Sequence, residues 1–503
     1  MHRLLAGVWR CDPGTVWAWL HDLPLSGLPR AGQLDLLSDA ADAGGDAEDP
    51  VQPDGYLRPE WVIGGWAESP TRTAKWVALA AEAAALQKAR LDRRPGPGRA
   101  LSTAHAESAA EVLCVEMERD GLPIDVAEAE RLIADAVGPR PSDAGDEARR
   151  RAERDHAVLR HAPFGGPTPD LRSPADVKSL LRRIGLDLPD TRAWRLRAHA
   201  GAHPLVDALL TWRKAERIAT TYGYRWLDEH VRPVDGPGRR GRLHGDWTGS
   251  DGAAGRMTAS AGLHNLPAEL RPAVAAEPGY AFVHADLGQI EPRVLAAISG
   301  DPALVAATAD DDLYAPVAAA LGVSRDQAKV GVLGAMYGGT GGSSGLALPR
   351  LRRAFPQAMA LLEDAAERGR RGEPILTLGG RLVRMWDGER YDDAGVGDLD
   401  RARQVAAARG RYARNALIQG AAAEFFKVWA VTFRARAIAA GLDARIVLCL
   451  HDELLIHAAE SDARAAAALL DHALREAAHR WSPHPDVRFT ADVRIVQRWS
   501  DAK

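Results

Sequence analysis

The chain is poor in cysteine, lysine and long apolar runs, and it carries little net charge. Its three cysteines (Cys11, Cys114 and Cys449) are widely spaced and odd in number, which excludes a disulfide framework and a cysteine-based zinc site. No apolar run approaches the length of a membrane span. The start, MHRLLAGVWRCDPG, is too short and too polar for a secretory signal. A cytoplasmic protein with no membrane partner is expected. The formal charge of −4 leaves no global electrostatic mark of nucleic-acid binding, so any such site has to be a local basic surface. Arginine far outnumbers lysine and alanine is abundant, which reads as coding bias and not as function. What the chain does have is length and apolar content. With 503 residues, 46% of them hydrophobic, it is globular and too long for one core, so two to four subdomains are expected.

Several elements can be placed from pattern. A helical stretch from Arg72 to Leu91 ends at the breaker RRPGPGR (93–99), a boundary. Helix resumes at Thr103 and runs to the turn DGLP (120–123). ADAGGDAEDPVQPDG (41–55) and VGPRPSDAGDE (137–147) read as loops. Residues 205–231 read as one long amphipathic helix. Taken alone, its Arg213, Lys214 and Arg217 suit a solvated face better than a phosphate-contacting one. Residues 301 to about 440 are mostly helical, and a further helix covers about 462–480. Strands at 281–286, 446–450, 454–457 and 487–496 imply one mixed or antiparallel sheet assembled from both halves of the chain.

The chemistry is concentrated in three segments. In LCLHDELLIH (448–457) an apolar run breaks at His451-Asp452-Glu453 and then resumes, which reads as a β-hairpin with two carboxylates at its turn. Acidic residues at a hydrophobic hairpin tip make sense if a divalent metal sits there. FVHADLGQIEPRVLA (282–296) is a second apolar run ending in a carboxylate, Asp286, with Glu291 close behind. Two strand-end aspartates can jointly hold two Mg²⁺ for in-line phosphoryl transfer. Between them in sequence lies VSRDQAKVGVLGAMYGG (323–339). Ser324 and Gln327 form a capping-box signature for a helix start. Arg325, Lys329, Leu333 and Tyr337 recur every fourth residue and share one face. Two cations one turn apart, near a positively polarised helix N-terminus, suit a triphosphate. The bland alternatives are strand-end caps for the acids and an ordinary surface helix for the cations.

Taken in order, these motifs resemble those of the bacterial family A DNA polymerases, the DNA polymerase I group, over roughly residues 105–503. The resemblance implies an α+β right-hand fold with an antiparallel palm sheet and mostly helical fingers and thumb. Residues 1–100 would be a truncated exonuclease-like remnant and linker, 101–235 the thumb, 236–300 and 426–503 the palm, and 301–425 the fingers. It makes Asp286 and Asp452 the ligands of two Mg²⁺, with Mn²⁺ able to substitute, and Glu453 an auxiliary catalytic carboxylate. Arg325 and Lys329 become triphosphate ligands and Tyr337 the residue beside the templating base. Gln289 and Leu333 join the nucleotide site, and Glu291 blocks a ribose 2′-hydroxyl. Gly255-Arg256 with Asn265 and Pro267 resembles the template–primer segment, and Arg411-x3-Asn415-x3-Gln419 the minor-groove helix. Arg213, Arg217, Thr221 and Tyr222 match the thumb helix, and His451 would position the primer end. Ser173-Pro174 and Glu116-Met117-Glu118 match thumb-base motifs. The implied partners are primer–template DNA and dNTPs, for a monomer engaged in repair or gap filling.

The spellings DLGQIEPRVLAA and AKVGVLGAMYGG resemble an actinobacterial subgroup usually named bifunctional 3′–5′ exonuclease/DNA polymerases. Five positions depart from the family. Leu333 replaces an aromatic that packs on the incoming sugar, Val332 a common Asn, Leu287-Gly288 a Tyr-Ser pair, and His264 a Gln. These changes bear on nucleotide affinity and fidelity. The family's exonuclease needs an Asp-x-Glu on a strand, and the only early match, Asp46-Ala47-Glu48, lies in a Gly/Asp-rich loop. About 100 residues are too few for that domain, and GVWRCDPGTVWAWLHDLPL looks like its tail. A remnant without exonuclease activity is expected, and no 5′-nuclease domain. The rival readings are a single-subunit RNA polymerase or primase-like enzyme, which Glu291 opposes; a polymerase with relaxed sugar selection; and a catalytically altered DNA-binding homologue.

Overall fold

The computed structural model describes residues 1–8, 10–28, 48–94, 97–234, 238–339, 342–386 and 399–502. Among them eleven strands form four antiparallel sheets. Three short strands, β1 (Leu122–Asp125), β2 (Val231–Val234) and β3 (Arg240–Leu243), pair in the order β1-β3-β2. β4 (Trp247–Asp251) and β5 (Arg256–Ala259) form a hairpin. β6 (Tyr280–Leu287) is a central strand, and β7 (Ile375–Leu376) and β8 (Leu382–Val383) make a second small hairpin. β9 (Ala444–Leu450), β10 (Glu453–Ala459) and β11 (Ala491–Val496) join β6 in a four-stranded sheet of order β11-β6-β10-β9.

β6 is almost continuously apolar because it is interior to that sheet and covered by helix Ala463–Trp481. Phe282, Val283, Leu454, Leu455 and Ile456 are fully buried there. Each large apolar side chain removed from water in this way stabilises the fold by about 1.5–3 kcal/mol. The register sets Asp286 opposite Glu453 on one side and opposite Asp492 on the other. The 41-residue helix Leu399–Ala439 packs on helices Pro97–Asp120, Pro356–Arg370 and Ala463–Trp481 and so ties the sheet to the helical segments. A separate apolar core, including Val158, Leu180, Leu205, Leu209 and Trp212, holds helices Ala144–Leu159, Pro174–Arg183 and Pro204–Thr221 together. No helix among the described residues is long and apolar enough to cross a membrane.

The structure corrects the element pattern in three places. The long helix expected over 205–231 is two helices, Pro204–Thr221 and Tyr224–His230, followed by β2. The break falls at Tyr222-Gly223. The Tyr222 hydroxyl donates to the Asn265 carbonyl at 2.7 Å, and a Cβ on Gly223 would meet the Ala219 carbonyl oxygen at 3.0 Å. The last strand is shorter than expected, 491–496 in place of 487–496. β1 to β5 escape the sequence pattern, because four- or five-residue strands with Arg, Gly and Pro show no sustained alternation. Of the loop expected at 41–55, residues 41–47 lie outside the described residues.

Beneath the long helix lies a buried ionic cluster. Lys427 pairs with Glu107 and donates to the Gly255 carbonyl at 2.7 Å, and Arg381 reaches Glu107 at 2.7 Å. Burial alone would raise Glu107, but Lys427 and Arg381 pull its carboxyl down to about 2. Glu424, one turn away, accepts from the Thr377 hydroxyl and from the Gly379 amide at 2.9 Å. Burial pushes Glu424 up to about 7, against the pull of Arg381 and these hydrogen bonds. The folded protein therefore holds this proton more tightly than the unfolded chain. That contribution is complete below the ordinary value of 4.5 and is lost as pH rises through about 7. Glu424→Gln should flatten this arm, removing about 1–3 kcal/mol of the stability lost between pH ~4.5 and ~8. Denaturant unfolding of both proteins across that pH range measures it.

Candidate active site

The two carboxylate-bearing segments meet at one end of the central sheet. Asp286 is the penultimate residue of β6, and the Leu287 amide donates to the Asp452 carbonyl at 2.8 Å. His451 and Asp452 make the two-residue connection between β9 and β10. His451 adopts a positive φ of 42°, as tight hairpin turns demand even of non-glycine residues. The sequence pattern places Glu453 in the turn as well. It is instead the first residue of β10, nearly fully buried, accepting from Trp499 Nε1 at 2.5 Å and bonded to His284 Nε2 at 2.6 Å.

His284, Asp286 and Glu453 bring one potential ligand atom each within 4.8 Å of one another. Two of these residues are already each other's partners, so this group is better read as a support beneath Asp286 than as a metal centre. The pair that faces the open cleft is Asp286 and Asp452. This cleft has a volume of about 430 Å³. Its wall joins the three separate motifs. Besides the two aspartates it takes in Gln289 and Glu291 after β6, Arg325, Lys329, Leu333 and Tyr337 from helix Arg325–Tyr337, His451 from the hairpin, and Arg256 from β5.

The cationic helix begins as its sequence predicts. Ser324 Oγ accepts from the Gln327 amide at 3.3 Å, and Gln327 Oε1 accepts from the Ser324 amide at 3.0 Å. Lys329 is exposed on the cleft wall. Arg325 is half-exposed, and its Nε donates to Asp312 at 2.5 Å. Gln289 does not project freely into the cleft: its Nε2 donates to Asp312 at 2.9 Å and its Oε1 accepts from the Leu313 amide at 2.8 Å. Leu333 packs partly buried against the core, so it supplies an apolar edge and no ring face.

Tyr337 links the segments. Its hydroxyl donates to Glu291, it is hydrogen-bonded to Gln419, and Arg256 approaches the other Glu291 oxygen at 3.6 Å. Burial, then the bond to Glu291, raises the phenol well above its ordinary value. Gly338 ends this helix at φ 72°, where a Cβ would lie 2.8 Å from Arg411 Cγ. Arg411, Asn415 and Gln419 occupy one stretch of helix Leu399–Ala439, with Arg411 exposed and Asn415 Oδ1 buried without a hydrogen-bond partner. His451 stacks edge-on against His264, which in turn meets Trp247, with ring centroids 5.6 and 5.5 Å apart. Burial, then the neighbouring His451, lowers His264 to about 4.

Two expected DNA ligands have internal partners. Arg213 is bonded to the Thr191 carbonyl and, at 3.1 Å, to its hydroxyl, away from the cleft. Arg217 donates to the Asn265 carbonyl at 2.5 Å, beside the Tyr222 hydroxyl, and so positions the Asn265 segment; the Asn265 residue itself is exposed. Glu116 and Glu118 are clamps. Glu116 pairs with Arg434 at 2.6 Å, and Glu118 accepts from the Trp247 amide at 2.6 Å. Sequence reasoning missed His284, Trp499, Asp312 and Tyr314. Asp312 ends the acidic run Asp310-Asp311-Asp312, which looks like any solvated turn; Tyr314 is a lone aromatic beside it, and His284 and Trp499 are isolated residues whose partner Glu453 is distant in sequence.

Residues 166–501 match the family model described as DNA polymerase family A. The chain is 31% identical over 426 residues to a thermostable DNA polymerase I of Thermus thermophilus, covering 77% of this chain and 46% of that protein. It is 33% identical over 296 residues to the DNA polymerase I of Chloroflexus aurantiacus, covering 53% of this chain and 30% of that one. It thus spans about half the length, or less, of the curated relatives it matches. Among solved structures it is similar to the POL domain of Pol1 from M. smegmatis in complex with DNA primer-template and dNTP. That match has 25% identity and a TM-score of 0.62, covering 79% of this chain and 70% of the other.

If Asp286 and Asp452 are the ligands, Asp286→Asn and Asp452→Asn should each weaken Mn²⁺ binding by more than about tenfold. Calorimetric or paramagnetic titration of the purified protein measures this.

Proposed function

Since the chain belongs to DNA polymerase family A, we propose that it is a template-directed DNA polymerase that adds dNTPs to the 3′ end of a primer. The observation that carries this reading is the single cleft in which two strand-end aspartates face a helix bearing Arg325 and Lys329. Carboxylate oxygens from adjoining strand ends are the donors that Mg²⁺ takes, and Mn²⁺ shares the preference. Asp286 and Asp452 would hold two such ions, which when bound ease deprotonation of the primer 3′-hydroxyl and offset charge on the triphosphate.

The remaining work belongs to side chains. Lys329 and Arg325 neutralise triphosphate charge, Arg325 after leaving Asp312. Glu291, held by Tyr337 and approached by Arg256, crowds the position of a ribose 2′-hydroxyl and so selects deoxyribose. Leu333 gives the sugar apolar contact only. His451 steadies the primer end against His264. Arg256, Asn265, Arg411, Asn415 and Gln419 touch the duplex in its minor groove. Acceptors there are similar for all correct pairs, so these contacts test pair geometry and not sequence. Glu453 acts beneath Asp286 through its bonds to His284 and Trp499, as a support and not as a ligand.

We assign residues 101–235 to the thumb, 236–300 and 426–503 to the palm, and 301–425 to the fingers. The separate core around Leu205 and Trp212 supports an independent body for residues 158–212 of the thumb, while the helix Pro97–Asp120 packs into the main core. A monomer acting in the cytoplasm on primer–template DNA, in repair or gap filling, fits this reading. A lack of proofreading is part of the same proposal. Of the one Asp-x-Glu candidate, Asp46 lies outside the described residues, and Glu48 is paired with Arg72 at 3.0 Å.

Asp286→Ala and Asp452→Ala should abolish primer extension while the protein still binds primer–template in a gel-shift assay. Near-normal extension by Asp452→Ala would overturn the assignment. With dNTPs omitted, a primer carrying a 3′ mismatch should keep its length; its shortening would show that exonuclease activity survives.

A further inference from the structure

Asp312 precedes the cationic helix and holds two side chains at once. Its carboxylate accepts from Arg325 Nε at 2.5 Å and Nη2 at 3.2 Å, and from Gln289 Nε2 at 2.9 Å. The Tyr314 amide adds a longer contact at 3.3 Å. Gln289 is fixed in turn by the Leu313 amide, and its own backbone sits at φ 53°, a left-handed conformation that non-glycine residues seldom adopt. Asp312 is therefore anchored on both sides and is not a drifting surface carboxylate. Two oxygens set against a guanidinium fork present what a phosphate presents. The buried Tyr314 ring lines the same cleft, with the Arg325 guanidinium 5.8 Å from its centroid.

We propose that Asp312 is a positioning residue that sets nucleotide affinity: its carboxylate occupies Arg325 when the cleft is empty and is exchanged for the polyphosphate of an incoming nucleotide. The inference rests on the polymerase reading of the cleft. Two effects follow, with the same sign. The nucleotide has to win the guanidinium from an anchored competitor. The carboxylate then remains near the phosphates and repels them. Removing its charge, with its shape kept, strengthens nucleotide binding through Arg325 and leaves the chemical step alone.

The test is single-turnover primer extension at varied dNTP concentration with D312N, R325Q and the double variant. D312N should lower the half-saturating dNTP concentration about twofold to fivefold, the range exposed charge pairs supply, with the maximal rate unchanged. The gain should vanish in the R325Q background. A higher half-saturating concentration in D312N, or the same gain without Arg325, overturns the exchange. D312A, compared by thermal melting, separates a folding defect from a binding effect. Calorimetric titration of inorganic tripolyphosphate into wild-type and D312N protein without DNA reads the exchange apart from polymerisation. Tighter binding by D312N supports it even if no primer is extended, and equal binding overturns it.

Discussion

The site depends on the antiparallel register of β6 with β10. Asp286 stands opposite Glu453, and the next residue, Leu287, is bonded through its amide to the Asp452 carbonyl. A slip of one residue would turn every side chain of the strand to the other face and separate the aspartates. Two features hold the register. One is the buried apolar set around Phe282 and Leu455. The other is the pair of hydrogen bonds that fix Glu453 to His284 and Trp499. A carboxylate buried this deeply would be costly without them. Glu453 thus takes part in placing the two cleft aspartates without facing the cleft itself.

Around this edge the other segments share the apolar core of the sheet, through Ile290, Val332, Met336 and Tyr222 among others, and polar contacts at the cleft add to it. Tyr337 ties the cationic helix to Glu291 and Gln419, and Asp312 ties it to Gln289. Arg217 and Tyr222 tie the helical unit with its own core to the Asn265 segment. Such contacts can be exchanged when a charged ligand arrives, whereas the packed sheet beneath cannot shift by small amounts.

Much of the site was legible in the chain. Asp286 and Asp452 stood out because carboxylates interrupt apolar strands, and His451 took a role only through the family resemblance. Arg325, Lys329, Leu333 and Tyr337 stood out through helical spacing and a capping box that the structure contains. Arg213 misled because a cation on an amphipathic helix looks the same whether it meets a phosphate or the Thr191 carbonyl. The helix over 205–231 reads as unbroken because the reason for its break, Tyr222 reaching Asn265, lies more than forty residues away.

Membership of the family and the identity of its carboxylates and cations were determined by the sequence itself, since they are matters of residue type, order and spacing. Tertiary structure decided what each of those residues has left to offer a ligand. It buried Glu453, paired Arg325 with Asp312, bonded the exposed Arg217 to the Asn265 carbonyl and brought in His284, Trp499 and Tyr314. The reason is physical: periodicity records which face of an element a side chain takes, but its hydrogen-bond partner is set by an element distant in the chain. Only the folded protein brings the two together.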